Sequence, residues 1–397
     1  MKLHQPIVSA VVSALKDIFF GGFKADKVIE RHLKNNKKWG SRDRRFFAET
    51  VYDMVRWWRK IWVEVGKEPT DNEKDLYQAL SVWLEQNGVE LPPWLKAADK
   101  SLAGERLPLS FAVRESYPDW IDVMGRSELG EQWEAVACAL NRQAQVVLRT
   151  NTLLTNRDSL RSRLLDEGVE TQNLSINDVA LVLTERKNVF QTQCFKLGLF
   201  EVQDAVSQCI APLLEVESGM RVVDACAGAG GKTLHIAALM RNKGKIIALD
   251  IYPAKLAELM RRARRDKIDI IEPREISSGK VIKRLRESAD RLLLDVPCSG
   301  LGVLRRNPDT KWKLTQEKLA NLNRLQLEIL TGYSSIVRPG GTMVYSTCSI
   351  LPSENEAIVD KFLQVNEGLW KVKFQKRWLP HVEGFDGFFA AVMSRSE

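Results

Sequence analysis

The 397-residue chain has only four histidines, far apart, and its six cysteines include no CxxC pair. Neither a zinc site with ordinary ligand spacing nor a secreted disulfide framework is expected from that set. No apolar run is long enough to cross a bilayer. The first residues, MKLHQPIVSAVVSALKDIFFGG, hold an apolar stretch, but Asp17 breaks it and no small-residue cleavage site follows. That segment reads as a buried helix rather than a signal peptide. Internal repeats and low-complexity tracts are also missing. What remains is the profile of a soluble, cytoplasmic globular protein, 44% hydrophobic and 28% charged, with free thiols in a reducing compartment. A chain of this length holds about two or three domains.

Positive charge is in excess, with 59 lysines and arginines against 51 aspartates and glutamates. A net charge of +8 favours a polyanionic partner such as nucleic acid. Candidate phosphate-contacting patches are Lys37, Lys38, Arg42, Arg44 and Arg45, then Arg261, Arg262, Arg264 and Arg265, and finally Arg305–Arg306. For the Arg261 group a solvated helix face explains the charges equally well. Trp39, Phe46 and Phe47, interleaved with the first patch, read as helical core rather than as a stacking platform for bases.

The first hundred residues show helical periodicity. Val8, Val11, Val12, Leu15, Ile18 and Phe19 share one face, as do Phe46, Phe47, Val51, Met54 and Val55, and later Leu76, Leu80, Trp83 and Leu84. Pro92-Pro93 and the charged stretch from Lys96 to Arg106 mark a boundary. A helix over Tyr117 to Leu140, strands at Val146–Arg149 and Val179–Leu183, and a helix over Ser159–Glu167 suggest a small αβ module. After about residue 200, strands at Arg221–Ala225, Lys245–Asp250, Ile268–Ile271, Arg291–Val296 and Thr342–Ser346 alternate with helices such as Pro253–Asp266 and Gln316–Val337. Apolar, β-branched strands in that rhythm predict a mostly parallel sheet covered on both faces. Ser353-x-x-Glu356 reads as the capping signature of a last helix.

Between the first two of those strands runs CAGAGGKT, leading into the helix LHIAALM. Its glycines allow a tight turn and close approach of backbone to a ligand, and the helix start offers N–H groups to an anion. A Walker A loop would need glycine where Cys226 stands. The dinucleotide fingerprint would need a third glycine where Thr233 stands. A site for a single nucleoside is left, with Asp250 at the end of the next strand able to accept ribose hydroxyls. Cys226, Ala227, Gly228, Ala229, Gly230, Gly231, Lys232, Asp250 and Asp295 are the candidate cofactor-binding residues.

Two further turns end strands. LLLDVPCSGLGVLRRNPDTKW places Asp295, Pro297 and Cys298 just past one strand's carboxyl end, and GGTMVYSTCSILPSENE does the same for Cys348. That edge of an open α/β sheet is where ligands bind. Most cysteines simply pack, and Cys138, Cys194 and Cys209 lie on apolar faces and are read that way. Small, polar, turn-forming neighbours set Cys298 and Cys348 apart.

At VLRTNTL, LFEVQDAVSQ, DACAGAGGKT, DVPCSGLGVLRRNPDTKW, YSTCSILPSENE and DGFFAAVM, the chain resembles the Sun/Fmu/RsmB-type RNA cytosine-5 methyltransferases, from about residue 147 to the C-terminus. RHLKNNKKWGSRDRRFFAETVYDMVRW resembles the NusB-like RNA-binding domain of that family's bacterial rRNA-modifying members, a looser match. The resemblance implies an all-α NusB-like domain over 1–110, linker helices and a small α+β module over 111–205, and a Rossmann-like class I methyltransferase domain over 206–397. It implies S-adenosyl-L-methionine as cofactor, no metal, a monomer, and RNA as partner, with 16S rRNA favoured. Among the site residues it implies that Cys348 is the nucleophile, Cys298 the release residue, Asp295 the group at the base's N3/N4 edge, and Lys232 an aid to thiolate formation. Family members often carry an acidic residue after the third strand, near the adenine. Here that segment reads IIEPREISSGK, with Glu275 as the nearest candidate. A tRNA substrate, a DNA cytosine-5 methyltransferase and a catalytically inactive assembly factor are the alternative readings.

Overall fold

A computed structural model describes residues 3–95 and 109–397; the charged stretch from Lys96 to Arg106 lies outside them. The chain divides into two compact units, 1–142 with 304–314, and 143–303 with 315–397. The linker helices join the first unit, the small α+β module joins the second, and an eleven-residue return segment, Leu304–Leu314, belongs to the first.

The first unit is helical: Gln5–Phe19, Ala25–Asn35, Ser41–Arg56, Trp58–Val65 and Glu73–Gln86 are its main helices. Pro6 sits in the first turn of Gln5–Phe19, where no N–H is missed. The Asn72 side chain accepts the Lys74 N–H at 2.9 Å and so caps Glu73–Gln86. Val8, Val11, Leu15, Phe47, Val51, Met54, Leu76 and Leu80 form one core, with Trp39 and Phe46 packed against it. The aromatics are therefore core, as their spacing suggests. The expected helix over Tyr117 to Leu140 is broken into Asp119–Leu129 and Trp133–Leu140 by a 3₁₀ turn at Gly130, whose φ is +56°. Into this unit the return segment inserts Trp312, which donates its indole N–H to the Val55 carbonyl at 2.7 Å. Arg305, expected on the surface, is 8% exposed, and its carbonyl accepts from Arg56 at 3.1 Å.

The second unit opens with a four-stranded antiparallel sheet of β1 (Val147–Thr150), β2 (Thr171–Asn173), β3 (Ala180–Leu183) and β4 (Phe200–Val202), ordered β2-β3-β1-β4. The helix Arg157–Asp166 covers it through Leu160 and Leu164. The main sheet comprises β5 (Arg221–Asp224), β6 (Lys245–Asp250), β7 (Ile271–Glu275), β8 (Ala289–Asp295), β9 (Val337–Thr347), β10 (Trp370–Trp378) and β11 (Phe388–Arg395), ordered β10-β11-β9-β8-β5-β6-β7. From β9 to β7 every pairing is parallel; β11 alone runs in the opposite direction, pairing antiparallel with both β9 and β10. β7 begins where the expected strand Ile268–Ile271 ends, because the helix before it runs to Arg265 and the connection takes the next residues.

Alternation along the strands builds two cores. Val222, Ile246, Ala248, Leu293 and Val344 meet the helices Gly231–Leu239 and Pro253–Arg265 on one face. Val223, Ile247, Leu249, Leu292, Leu294 and Tyr345 meet Gln316–Ser334 and Glu356–Val365 on the other. Each such aliphatic side chain contributes about 1.5–3 kcal/mol on burial. This is a Rossmann-like, mostly parallel sheet preceded by a helical region. Among the described residues no helix is long and apolar enough to cross a membrane.

The last helix starts where the capping signature placed it, with Asn355 rather than Ser353 at the N-cap position. The residue before Glu356–Val365 is Asn355, which makes no cap bond. Its side chain instead accepts from Thr347 Oγ1 at 2.6 Å and donates to the Ser349 carbonyl at 3.1 Å. Glu356 pairs with Arg377 at 2.6 Å. The helix start is given over to holding the turn that carries Cys348.

Candidate active site

Strand order reverses at β5: the chain steps outward to β6 and β7, then returns to β8 on the other side of β5. The crevice at that reversal, beyond the carboxyl ends, is where such sheets bind ligands. The turns after β5, β8 and β9 all lie at this edge, and they are the three that the sequence singles out.

After β5, Gly228 and Gly230 have φ of +55° and +90°, a region that L side chains enter only with strain. A Cβ at Gly230 would come within 2.6 Å of Leu259, whereas one at Gly228 would meet nothing within 4 Å, so the backbone there is open to a ligand. The Gly228 and Tyr252 N–H groups donate to the two oxygens of Asp250 at 2.8 and 2.9 Å. Each oxygen keeps a lone pair for a hydroxyl. Glu275 is exposed and stands in register with Asp250 on the adjoining strand. The loop's own carbonyls are braced from behind: Arg262 donates to Ala229 O at 2.7 Å, and the buried Arg149 to Gly231 O at 2.5 Å. An open glycine, a hydroxyl-accepting carboxylate and a helix start fit an adenosyl ligand.

Cys226 is enclosed; burial and then the carboxylates of Asp224, Asp295 and Asp250 push its thiol up, so it stays protonated. Asp224, 1% exposed, takes a hydrogen bond from Thr233 at 2.7 Å on one oxygen and has no partner on the other. Burial raises it to about 7, opposed by Thr233 and reinforced by the charge of Asp295.

Lys232 reaches from the first turn of Gly231–Leu239 to Asp295 at the end of β8, 2.6 Å from its Oδ2. Burial pulls the ammonium down, but the charge and hydrogen bond of Asp295 outweigh it and the net shift is upward. Ser346 donates to the other oxygen of Asp295 at 3.0 Å. Asp295 and Ser346 are register partners, so Cys298 and Cys348 follow a matched pair by three and two residues. Their Sγ atoms lie 3.2 Å apart, and both thiols are free and partly exposed. The hydrogen bond with Cys348, then burial, then the charge of Cys348, place the Cys298 thiol well above its ordinary range.

The structure thus brings Lys232, Asp295, Cys298 and Cys348 to one place beside the glycine loop, with Asp250 across it. Cys194 and Cys209 lie elsewhere, and burial first pushes their thiols to about 12 and about 11. The Arg261 group divides: Arg262 and Arg265 both engage the buried Glu201, at 2.8 Å for Arg262, while Arg261 and Arg264 are exposed. Among the described residues no group of three or more His, Cys, Asp or Glu is placed to hold a metal.

Several residues around the cysteines were given no individual role by the sequence. Glu354, Ser299, Ser349 and Gln326 form a buried network behind them. Gly302 donates to Cys348 O at 2.9 Å, and its carbonyl accepts from Gly387 at 2.8 Å. The one sequence signal for Glu354 is its place in the PSENE segment after the Cys348 turn.

A family model for the 16S rRNA methyltransferase RsmB/F matches residues 211–394, and the ferredoxin-like domain of RsmF/B-like methyltransferases matches 117–190. The Synechocystis protein described as "Probable ribosomal RNA small subunit methyltransferase B" is 32% identical over 96% of this chain and 98% of its own length. Among solved structures, that of PH0851 covers 100% of both chains with a TM-score of 0.81 at 24% identity, a likeness of fold. A methyltransferase homolog from Pyrococcus horikoshii, 27% identical, covers 72% of this chain and 97% of its own with a TM-score of 0.64. With a relative matched nearly end to end and the site's loops inside the matched domain, the chain belongs to the 16S rRNA methyltransferase RsmB/F family.

Proposed function

We propose that this protein methylates C5 of a cytosine in RNA, using S-adenosylmethionine, and that its substrate is small-subunit ribosomal RNA. The observation that carries this reading is the pair of sulfurs 3.2 Å apart, delivered by two separate strand ends. The rRNA substrate rests on the relatives' names, with the net charge of +8 in support.

C5 of cytosine is too weak a nucleophile to attack a methyl donor unaided. In this reading the Cys348 thiolate adds to C6; the S–C6 bond forms and the electron pair of C5=C6 makes C5 nucleophilic. Lys232 lies within electrostatic reach of Cys348, and a cation favours a thiolate. Asp295, held by Lys232 and Ser346, keeps lone pairs for the N3/N4 edge and stabilises the ring as it gains a proton. Bound S-adenosylmethionine supplies an electrophilic methyl group, with Cys226–Lys232 and Asp250 as the residues that would hold it, and Glu275 placed near the adenine end. C5 would form its bond to that methyl as the donor's sulfur–methyl bond breaks, the electron pair of that bond staying on the donor sulfur.

Release needs a base to take the C5 proton, so that C5=C6 re-forms and Cys348 leaves as thiolate. Cys298 is suited to that timing. The largest cause of its raised pKa is Cys348 itself. Once the Cys348 electron pair is committed to the S–C6 bond, that restraint is gone; Cys298 gives up its proton to solvent more readily, and the resulting thiolate takes the C5 proton. The target base must be unstacked to reach this pocket, and phosphate contacts from the helical unit, read as NusB-like, supply salt-sensitive affinity.

The test is methylation of small-subunit rRNA with labelled S-adenosylmethionine, followed by digestion to nucleosides. Label in 5-methylcytidine is expected. Label in another nucleoside, or transfer to tRNA alone, contradicts the proposal.

A further inference from the structure

Each cysteine turn has the same local design, Cys-Ser-x-Leu: Cys298-Ser299-Gly300-Leu301 and Cys348-Ser349-Ile350-Leu351. In each, the serine hydroxyl accepts the leucine N–H, at 3.3 Å for Leu301 and 3.2 Å for Leu351. Each serine then donates to one shared oxygen, Oε2 of Glu354: Ser299 at 2.5 Å, and Ser349 likewise. The other oxygen accepts from the Ser299 N–H at 2.7 Å and from Gln326 Nε2 at 3.0 Å. Gln326 also donates to Pro297 O at 3.0 Å, just ahead of Cys298. Tyr345, at the end of β9, donates to the Glu354 carbonyl at 2.7 Å.

We propose that Glu354 is a positioning residue, a clamp that holds the two cysteine turns together and thereby sets the approach of the Cys298 and Cys348 sulfurs. The inference rests on the covalent reading given above for its catalytic consequence, but not for its geometry. Glu354 is 0% exposed, and no cation pairs with it among the described residues. A buried carboxylate costs several kcal/mol unless donors surround it, and an apolar residue of like volume stabilises a core at least as well. Four donors drawn from both turns and the neighbouring helix therefore point to fixed placement rather than to stability. The two serine hydroxyls are 3.3 Å apart, close to the sulfur separation, so the clamp sets the spacing one residue from each thiol. Its charge also reaches Cys298, after the hydrogen bond with Cys348, burial and the charge of Cys348 among the causes that keep that thiol protonated.

The experiment uses the full chain with Glu354→Ala, Glu354→Gln, Ser299→Ala and Ser349→Ala, and two readouts. The first is the rate at which diamide joins the two thiols. Both sulfurs are oxidised to one S–S bond, and diamide takes up the two hydrogens; the product is mapped by peptide mass. The second is kcat and KM for RNA methylation. Glu354→Ala is expected to slow crosslinking and to lower kcat on the order of 100-fold, as displacement by about 1 Å does, with KM for RNA unchanged. Glu354→Gln keeps the shape and loses the charge, so crosslinking survives and the pH profile of Cys298 alkylation moves to lower pH. Each serine variant removes one arm and gives an intermediate loss in both readouts, which carries the comparison if Glu354→Ala does not fold. Wild-type kcat or wild-type crosslinking in Glu354→Ala, or in both serine variants, overturns the clamp. If the wild type forms no 5-methylcytidine, the covalent reading falls, while crosslinking still decides the clamp.

Discussion

Asp224→Asn changes one oxygen to nitrogen beneath the cofactor loop, and the structure gives its effect a pH dependence. The carboxyl is 1% exposed, one oxygen has no partner, and burial first, then the charge of Asp295, outweigh the Thr233 hydrogen bond and raise it to about 7. The unfolded chain releases this proton near 3.8. Between those values the folded state holds a proton that the unfolded state has lost, so stability falls as pH rises through the window. A rise from 3.8 to about 7, at about 1.4 kcal/mol per pH unit, amounts to about 4 kcal/mol once pH exceeds 7. Asparagine carries no charge and escapes the cost. The melting-temperature difference between variant and wild type should therefore widen from pH 4 to pH 8 by on the order of 10 °C. Asp266, raised to about 7 by burial and then by Glu201, acts in the same direction but cancels in the difference. Thermal unfolding across that range is the assay. A difference that stays flat, or narrows as pH rises, refutes the reasoning.

Arg262→Ala removes the donor to Ala229 O and one of two arginines from Glu201, which is 3% exposed. It should cost about 3 kcal/mol in denaturant unfolding and weaken S-adenosylmethionine binding by calorimetry, without changing the salt dependence of RNA binding. Lys37, Lys38 and Arg42 are exposed and unpaired among the described residues. Replacing all three with alanine should flatten the slope of log K against log salt by about 2 to 3 for RNA, with cofactor affinity unchanged.

What the sequence discloses about this protein is what short-range chemistry encodes. The glycine loop, Asp250 and both cysteine turns were legible because each is a strand end followed by turn-forming residues. The core positions of the first helices followed from their 3.6-residue period. The break at Gly130 was hidden inside a continuous apolar pattern, since a single glycine is compatible with either a helix or its end. β10 and β11 escaped because their pairing is antiparallel on a sheet otherwise built by crossovers. The fate of charged residues depended on partners distant in sequence: Glu201 claims Arg262 and Arg265, and the return segment buries Arg305. Glu354 stood inside the quoted PSENE segment, but its role was hidden for the same reason, because its donors lie 5, 28 and 55 residues away.

The most direct test of the central claim compares Cys348→Ala and Cys298→Ala, each incubated with substrate RNA and S-adenosylmethionine and run on a denaturing gel. Cys348→Ala should transfer no methyl and form no adduct, while Cys298→Ala should accumulate a covalent enzyme–RNA band carrying the methyl label. Full activity in Cys348→Ala, or an adduct that depends on Cys298 instead, would contradict the account.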